Sequence, residues 1–362
     1  MYFSSDNAAP AAPEVMAAII KANDGYAASY GTDNIMDNVT VQIRDIFEAP
    51  EAAVYLVSTG TAANALALSV LAAPWQTVLC HRQSHIEKDE CGAPEFFTGG
   101  AKLTLIDGPN AKIDPIQFAQ IAAKTGSLGV HNIQRGAVSI TNVTELGSVY
   151  TCEEIATLCK TAKNLGYGTH LDGARFTNAL AALDCTPAEM TWKAGIDIVS
   201  FGGTKNGLLG VEAVIIFDPV KAWEFELRRK RGGHLFSKHR YLSAQMEAYL
   251  TNNLWIRLAK QANIAGKRLE DGLTKINSFK MTIHVKQTCC FAKCLALRIT
   301  ARWMVVQNII WNVPKVPMMN LSNADSCAAG PPRMRKLSDS WRLPKARAPK
   351  TPAVYSHILR DA

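Results

Sequence analysis

The sequence of 362 residues has no uninterrupted apolar run long enough to cross a membrane, which excludes a membrane-spanning helix. Its first residues lack the basic-then-apolar order of a secretory signal peptide. Its nine cysteines are odd in number and scattered, which excludes a small disulfide scaffold and predicts reduced thiols. A hydrophobic fraction of 48% excludes a disordered chain. We therefore expect a cytoplasmic globular protein without a membrane partner.

Glutamate is absent after Glu270, and the charge of the chain changes sign near the same place. From Lys280 to the end, 14 Lys and Arg face three Asp, a net charge of +11, whereas the rest of the chain carries −3. The formal charge of +8 therefore combines a mildly acidic body with a basic tail. We predict a body over residues 1–280 and a separate tail over 281–362.

The body alternates short β-branched runs with helical stretches, which predicts an α/β fold with a mainly parallel sheet. The predicted strands are 53–57, 77–80, 103–106, a run ending at 171–172, 197–201 and 211–217. Helices are predicted over 62–71 and after Thr151, which has Glu154 three residues on as a capping-box partner. In such folds ligands bind at the carboxyl ends of the strands, so the residues that follow each strand are the candidates for chemistry.

Three segments that follow strands carry candidate residues. Hydroxyls and free N–H groups in 58–62 suit a phosphate at a helix start, although an ordinary N-cap explains them equally well. In 170–175, Asp172 and Arg175 form either a surface ion pair or a carboxylate that holds a heterocyclic nitrogen. In 200–207, Lys205 lies among glycines after an apolar strand, as either a solvated turn residue or a Schiff-base nucleophile. Together they meet the needs of pyridoxal 5'-phosphate (PLP).

Longer motifs extend from Phe3 to about Lys280, at 4–7, 30–33, 59–64, 85–90, 144–147, 172–175, 204–207 and 230–234. By these motifs the body resembles the threonine aldolases of the β-eliminating lyase family, a fold-type I PLP group, and is most similar to their low-specificity members. The resemblance implies a PLP-dependent aldol cleavage of L-threonine and L-allo-threonine to glycine and acetaldehyde. It also implies a homo-oligomer, a dimer or a dimer of dimers.

The resemblance implies a set of cofactor-binding residues. Lys205 forms the internal Schiff base, Asp172 keeps the pyridine nitrogen protonated, and Arg175 orients the ring. His85 stacks on the ring. Gly60 and Thr61, at a helix start, bind the phosphate, and Arg231 or Lys238 adds positive charge there.

Three further residues are implied for the substrate. Ser5 contacts the substrate carboxylate, and Tyr30 reaches the site of a neighbouring subunit. His131 takes the proton from the substrate β-hydroxyl, with a core histidine bonded to backbone as the alternative. No metal site is expected: Cys289, Cys290 and Cys294 lack the two-residue gap of a zinc site.

The tail does not continue the family pattern, which would supply a small α/β domain with an arginine for the substrate carboxylate. Read one base out of frame, residues 324–330 can encode Arg-Phe-Val-Cys-Ser-Trp, which is similar to that missing segment. We therefore expect that a frameshift near Met281 replaced the native C-terminal domain and weakened catalysis.

Two alternatives stay open. The same fold and cofactor can support β-elimination from another amino acid. A protein of another class, non-catalytic and bound to nucleic acid through the basic tail, is also consistent with the charge. The tail has no nucleic-acid-reading motif, so we expect no specific nucleic-acid partner.

Overall fold

A seven-stranded sheet lies at the centre of the computed structural model, which describes residues 5–275. The strands are β1 (Ala53–Val57), β2 (Gln76–His81), β3 (Lys102–Ile106), β4 (Gln134–Thr141), β5 (Gly168–Gly173), β6 (Ile198–Gly202) and β7 (Glu212–Ile216). Their order across the sheet is β1-β7-β6-β5-β4-β2-β3. The predicted tail over 281–362, with its cysteines and its basic charge, lies outside the described residues.

The sheet is mainly parallel, as predicted, and β7 is its reversed strand. The pairs β2–β3, β2–β4, β4–β5 and β5–β6 are parallel, whereas β7 is antiparallel to both β6 and β1. Two reversals restore the direction, so β1 runs the same way as β5 and β6. The carboxyl ends of β1, β5 and β6 therefore face one edge of the sheet.

Helices cover both faces of the sheet. They are α1 (Pro13–Ala22), α2 (Asn34–Ile46), α3 (Gly60–Ser69), α4 (His85–Lys88), α5 (Ala93–Thr98), α6 (Pro115–Lys124), α7 (Cys152–Asn164), α8 (Phe176–Leu183), α9 (Pro187–Met190), α10 (Ala222–Arg231), α11 (Arg240–Leu250) and α12 (Leu254–Leu273). Successive strand residues alternate between two apolar clusters: Val199 packs with the cluster of α2, α7, α8 and α11, and Ile198 with that of α3 and α10. Within residues 5–275 no helix has the length and apolarity that a membrane crossing needs.

Local sequence signals explain where two of these helices begin. The Thr59 hydroxyl accepts a hydrogen bond from the Ala62 N–H, so α3 begins at Gly60, two residues before the predicted start. The predicted capping box of α7 is confirmed: Thr151 Oγ1 accepts from the Glu154 N–H, and the Glu154 carboxylate accepts from the Thr151 N–H. Thr59 lies on the connection after β1 and Thr151 on the connection after β4, and both connections leave the sheet edge described above.

Candidate active site

Three of the predicted site segments lie at the same edge of the sheet. Gly60 and Thr61 begin α3 directly after β1, Asp172 lies near the end of β5, and Lys205 follows β6. The order of the segments in the sequence does not by itself place Gly60 and Thr61 at the edge of the other two, because the direction of β1 depends on the two reversals through β7. The charges of Asp172 and Lys205 both act on the imidazole of His85, which places all three in one electrostatic neighbourhood.

Asp172 is a buried carboxylate with a free oxygen. Its Oδ1 accepts the N–H of Ala174 at 3.1 Å, while Oδ2 has no hydrogen-bond partner within residues 5–275. The neighbouring Gly173 cannot be replaced without strain, because a Cβ there would lie 2.7 Å from the Ser200 carbonyl oxygen. Close approach of β5 and β6 therefore fixes the position of the carboxylate.

Lys205 lies in a short 3₁₀ turn, Thr204–Asn206, whose flanks are tightly held. The buried Glu212 carboxylate accepts the Gly203 N–H at 2.6 Å, and Asn206 Nδ2 donates to Tyr249 Oη at 2.6 Å. The Lys205 amine itself forms no ion pair or hydrogen bond with any described residue. The turn is fixed and the amine is left available, which is what covalent attachment of an aldehyde requires.

Gly60 and Thr61 present backbone donors at the start of α3. The first N–H groups of a helix have no partner within the helix, and the Thr59 cap serves Ala62. Apart from the adjacent residues and the backbone of α3, no atom of residues 5–275 lies within 4 Å of the place where a Cβ of Gly60 would be, so an anion has room to approach. The donors, the free amine and the free carboxylate oxygen together fit the phosphate, aldehyde and pyridine nitrogen of PLP.

His85 is fixed by two residues to which the sequence analysis assigned no role. Its Nδ1 lies 2.8 Å from Oε1 of the buried Glu90, and Asn64 Nδ2 donates to the same oxygen at 2.8 Å. The hydrogen bond to Glu90 raises the pKa of His85, and burial raises the pKa of Glu90. The available signal was Asn64 itself, a polar residue within the otherwise apolar run 62–68.

Arg175 lies at this edge but is already engaged by another side chain. Its Nε donates to Asp6 Oδ2 at 2.7 Å and its Nη2 donates to Oδ1 at 3.1 Å, and both side chains are largely buried. This bidentate pair binds the N-terminal segment to the site and brings Ser5, which accepts the Asn7 N–H, next to it. Asp6 is a third residue, after Asn64 and Glu90, whose role the sequence analysis missed.

The structure does not bring His131 to this edge. It is exposed and precedes the amino end of β4, and parallel strands place their amino ends at the opposite edge from the carboxyl end of β5. Neither predicted role fits within one chain: His131 is remote from Asp172, and its exposure excludes a core histidine. The prediction failed because strand β4 was not recognised.

Tyr30, Arg231 and Lys238 lie on the surface of the chain. The Tyr30 ring is 47% exposed, and the Lys230 Nζ lies 4.8 Å from its centroid. Arg231 and Lys238 are exposed and form no ion pair with another residue of 5–275. None of the three contacts Lys205 or Asp172 of the same chain.

Fold and site together describe an α/β enzyme with a lysine and a carboxylate at one sheet edge. The chain matches the beta-eliminating lyase family over residues 3–292, and it belongs to that family. It is 41% identical over 289 residues to the low specificity L-threonine aldolase of Pseudomonas sp. (strain NCIMB 10558), covering 80% of this chain and 83% of that protein. These matches confirm the predicted family.

Solved structures agree on the fold. The threonine aldolase of Leishmania major superposes with a TM-score of 0.71 at 28% identity, covering 75% of this chain and 79% of that chain. A serine palmitoyltransferase of S. paucimobilis superposes with a TM-score of 0.56 at 18% identity, covering 76% and 69%. The predicted fold-type I architecture is confirmed.

Proposed function

We propose that this chain is a PLP-dependent aldehyde-lyase that cleaves L-threonine and L-allo-threonine to glycine and acetaldehyde. The observation that carries the proposal is that the Lys205 amine, which has no ion-pair partner within residues 5–275, and the buried Asp172 carboxylate lie at the same sheet edge, where both act on His85. Its similarity to threonine aldolases supports the substrate class. The free state of all five cysteines among residues 5–275 supports action in the cytoplasm.

Each residue at the edge has a distinct task in this proposal. PLP, when bound, supplies the electron sink that accepts the pair left on Cα when the Cα–Cβ bond breaks. The Lys205 amine would attach the cofactor, and Asp172 Oδ2, which has no partner within residues 5–275, would accept a hydrogen bond from the protonated pyridine nitrogen. The N–H groups of Gly60 and Thr61 bind the phosphate, while Arg175 holds the N-terminal segment through Asp6.

We assign to His85 the removal of the proton from the β-hydroxyl of the substrate. Its Nδ1 faces Glu90, so its Nε2 is the ring nitrogen left for the substrate. A general base of this kind contributes roughly 10²–10⁴-fold to the rate. His131 of the same chain is too remote to share this task.

We also propose that the enzyme is a homo-oligomer in which exposed groups serve a neighbouring copy. Tyr30, Arg231 and Lys238 face outward and lack ion-pair partners among residues 5–275, as residues that complete another subunit's site would. Ser5, close to the Asp6–Arg175 pair, is proposed to contact the substrate carboxylate.

The decisive experiment is attachment of the cofactor followed by product analysis. The purified chain with PLP is expected to develop a visible absorbance band, and borohydride is expected to fix PLP to the peptide that contains Lys205. Lys205→Ala should lose both the band and acetaldehyde release, whereas Lys102→Ala, an exposed lysine of β3, should keep both. Labelling at another lysine would overturn the assignment.

The family offers one alternative reaction, β-elimination from another amino acid. With cysteine as substrate this reaction releases a keto acid, whereas aldol cleavage of threonine releases acetaldehyde. Parallel assays with threonine, allo-threonine and cysteine distinguish the two. Keto acid without acetaldehyde would replace the aldolase proposal while leaving the cofactor site intact.

A further inference from the structure

A surface cavity of about 640 Å³ lies where the start of α7 meets the end of α8. Cys152 and Cys185 both line it, together with Glu153, Glu189 and Lys193. None of the residues proposed to bind the cofactor lines this cavity. It is therefore a separate feature of the chain.

The two cysteines of this cavity are neighbours. Cys152 is the first residue of α7, and Cys185 follows Asp184, the left-handed residue that ends α8. Each thiol perturbs the pKa of the other and both line the same cavity, so the two side chains are neighbours, and both are half-buried and free. The other cysteines of residues 5–275 differ: Cys80 and Cys159 are buried, and Cys91 is exposed.

We propose that Cys152 and Cys185 are a dithiol site that closes to an intramolecular disulfide when it meets a hydroperoxide. The Cys152 thiolate attacks a peroxide oxygen, the O–O bond breaks, and a sulfenic acid and one water form. The Cys185 thiol then attacks the Cys152 sulfur, the S–S bond forms, the S–O bond breaks and a second water leaves. Two thiols lose two electrons and two protons, and one hydrogen peroxide becomes two waters.

The surroundings assign Cys152 as the attacking sulfur. As the first residue of α7 it lies at a helix N-terminus, where the partial positive charge stabilises a thiolate, whereas Cys185 follows the end of α8. Burial nevertheless raises the pKa of both thiols, so the reaction accelerates as the pH rises.

The charged groups around the pair favour an uncharged oxidant. Glu153 of α7, Asp184 at the end of α8 and Glu189 of α9 surround it, with Lys193 as the cation. The Lys193 Nζ is already bonded to Glu48 at 2.6 Å. The acidic lining repels anionic disulfides such as oxidised glutathione and admits hydrogen peroxide.

The disulfide would close a loop that contains β5, the central strand of the sheet. Residues 153–184 contain most of α7, all of β5 and α8, and with them Asp172 and Arg175. A covalent link that closes this loop opposes unfolding by restricting the unfolded chain. The oxidised protein is therefore expected to unfold at a higher urea concentration than the reduced protein.

The test is peptide mapping of the reduced full chain after treatment with hydrogen peroxide. Trypsin is expected to yield peptide 176–193, with Cys185, linked to peptide 136–160, and fragmentation between Cys152 and Cys159 identifies the linked sulfur. The linked mass should lack two hydrogens and separate again with dithiothreitol. Cys152→Ser and Cys185→Ser should abolish the link, whereas Cys159→Ser and Cys91→Ser should retain it.

Oxidation of Cys91 without a link between Cys152 and Cys185 would overturn the proposal, as would sulfinic acid at Cys152 as the main product. If a serine variant misfolds, the urea midpoints of the reduced and the peroxide-treated wild type are compared instead. A midpoint unchanged by peroxide counts against the link. The readouts do not involve PLP or threonine, so they are independent of the proposed function.

Discussion

Three buried carboxylates at the active edge are held by hydrogen-bond donors and not by lysine or arginine ion pairs within residues 5–275. Asp172 accepts the Ala174 N–H, Glu212 accepts the Gly203 N–H, and Glu90 accepts from Asn64 and His85. Lysine and arginine ion pairs to these three acids are absent from the described residues. The negative charges can therefore be buried beside Lys205 without engaging its amine, which stays available for the cofactor.

The Glu90 carboxylate is expected to control the protonation of His85. Glu90→Gln removes the negative acceptor of the imidazole, so the pKa of His85 should fall, because the hydrogen bond to Glu90 is the main cause of its elevation. The pH profile of kcat/KM for threonine cleavage should shift to lower pH. Asp89→Asn, an exposed neighbour, should leave the profile in place. A shift to higher pH in Glu90→Gln would refute the role.

His170 should make the fold sensitive to acid. It is fully buried between Ser139 Oγ at 2.9 Å and Ser200 Oγ at 3.0 Å, and burial lowers its pKa from 6.5 to about 4. A histidine whose folded pKa lies below its unfolded pKa stabilises the fold fully above pH 6.5, and this contribution decreases as the pH falls toward 4. The loss amounts to roughly 3 kcal/mol.

Urea unfolding between pH 7 and pH 4 measures this contribution. His170→Asn keeps a neutral hydrogen-bonding side chain that cannot ionise, so its stability should fall less steeply with acid than that of the wild type. The difference in unfolding free energy between the two proteins should narrow as the pH decreases. Parallel curves over this range would show that His170 is not the group responsible.

At the scale of elements, the capping box of α7 fixes one end of the helix that leads into β5. Thr151→Ala removes the hydroxyl that accepts the Glu154 N–H, and loss of such a cap costs about 1 kcal/mol. The urea midpoint under reducing conditions should fall accordingly. Thr157→Ala, an exposed residue of the same helix, should change the stability by less than about 0.5 kcal/mol. Equal losses in both variants would contradict a specific cap.

The elements also show which structural features the sequence could predict. Strand 53–57 and the start of α7 were predicted correctly, because a β-branched run and a capping box are local signals. Strand β4 was missed because it begins with Gln134, Arg135 and Gly136, which do not indicate a strand. The glycine is required there, since a Cβ would lie 2.7 Å from the Thr77 carbonyl oxygen.

The site was predicted unevenly for the same physical reason. Lys205 follows β6 and Asp172 lies near the end of β5, and the sequence indicates both strands, so the common edge of these two residues could be inferred. The hydrogen bond from Asn64 to Glu90 joins α3 to a later loop, and that from Arg175 to Asp6 spans most of the body. Such long-range pairs depend on the packed fold, and no local sequence pattern predicts them.

At the scale of the whole molecule, charge and similarity change in the same region. The chain from Lys280 onward carries +11, against −3 before it, and the match to the family ends at residue 292. The groups proposed to hold the cofactor within this chain, by contrast, all precede residue 240. We propose that residues 281–362 are read out of frame. Cofactor binding is then encoded intact, while the arginine expected for the substrate carboxylate is missing.

Restoring the alternative frame from codon 281 is expected to raise kcat/KM for threonine. A charged hydrogen bond to the substrate carboxylate is worth roughly 1.5–3 kcal/mol, which corresponds to an increase of about 10- to 150-fold. The visible absorbance of bound PLP per chain should be the same in both proteins, because the site at Lys205 is unchanged. This control separates a gain in substrate binding from a gain in cofactor binding. DNA sequence across codons 275–290 that offers no family-like alternative frame, or a restored chain with unchanged kcat/KM, would contradict the frameshift.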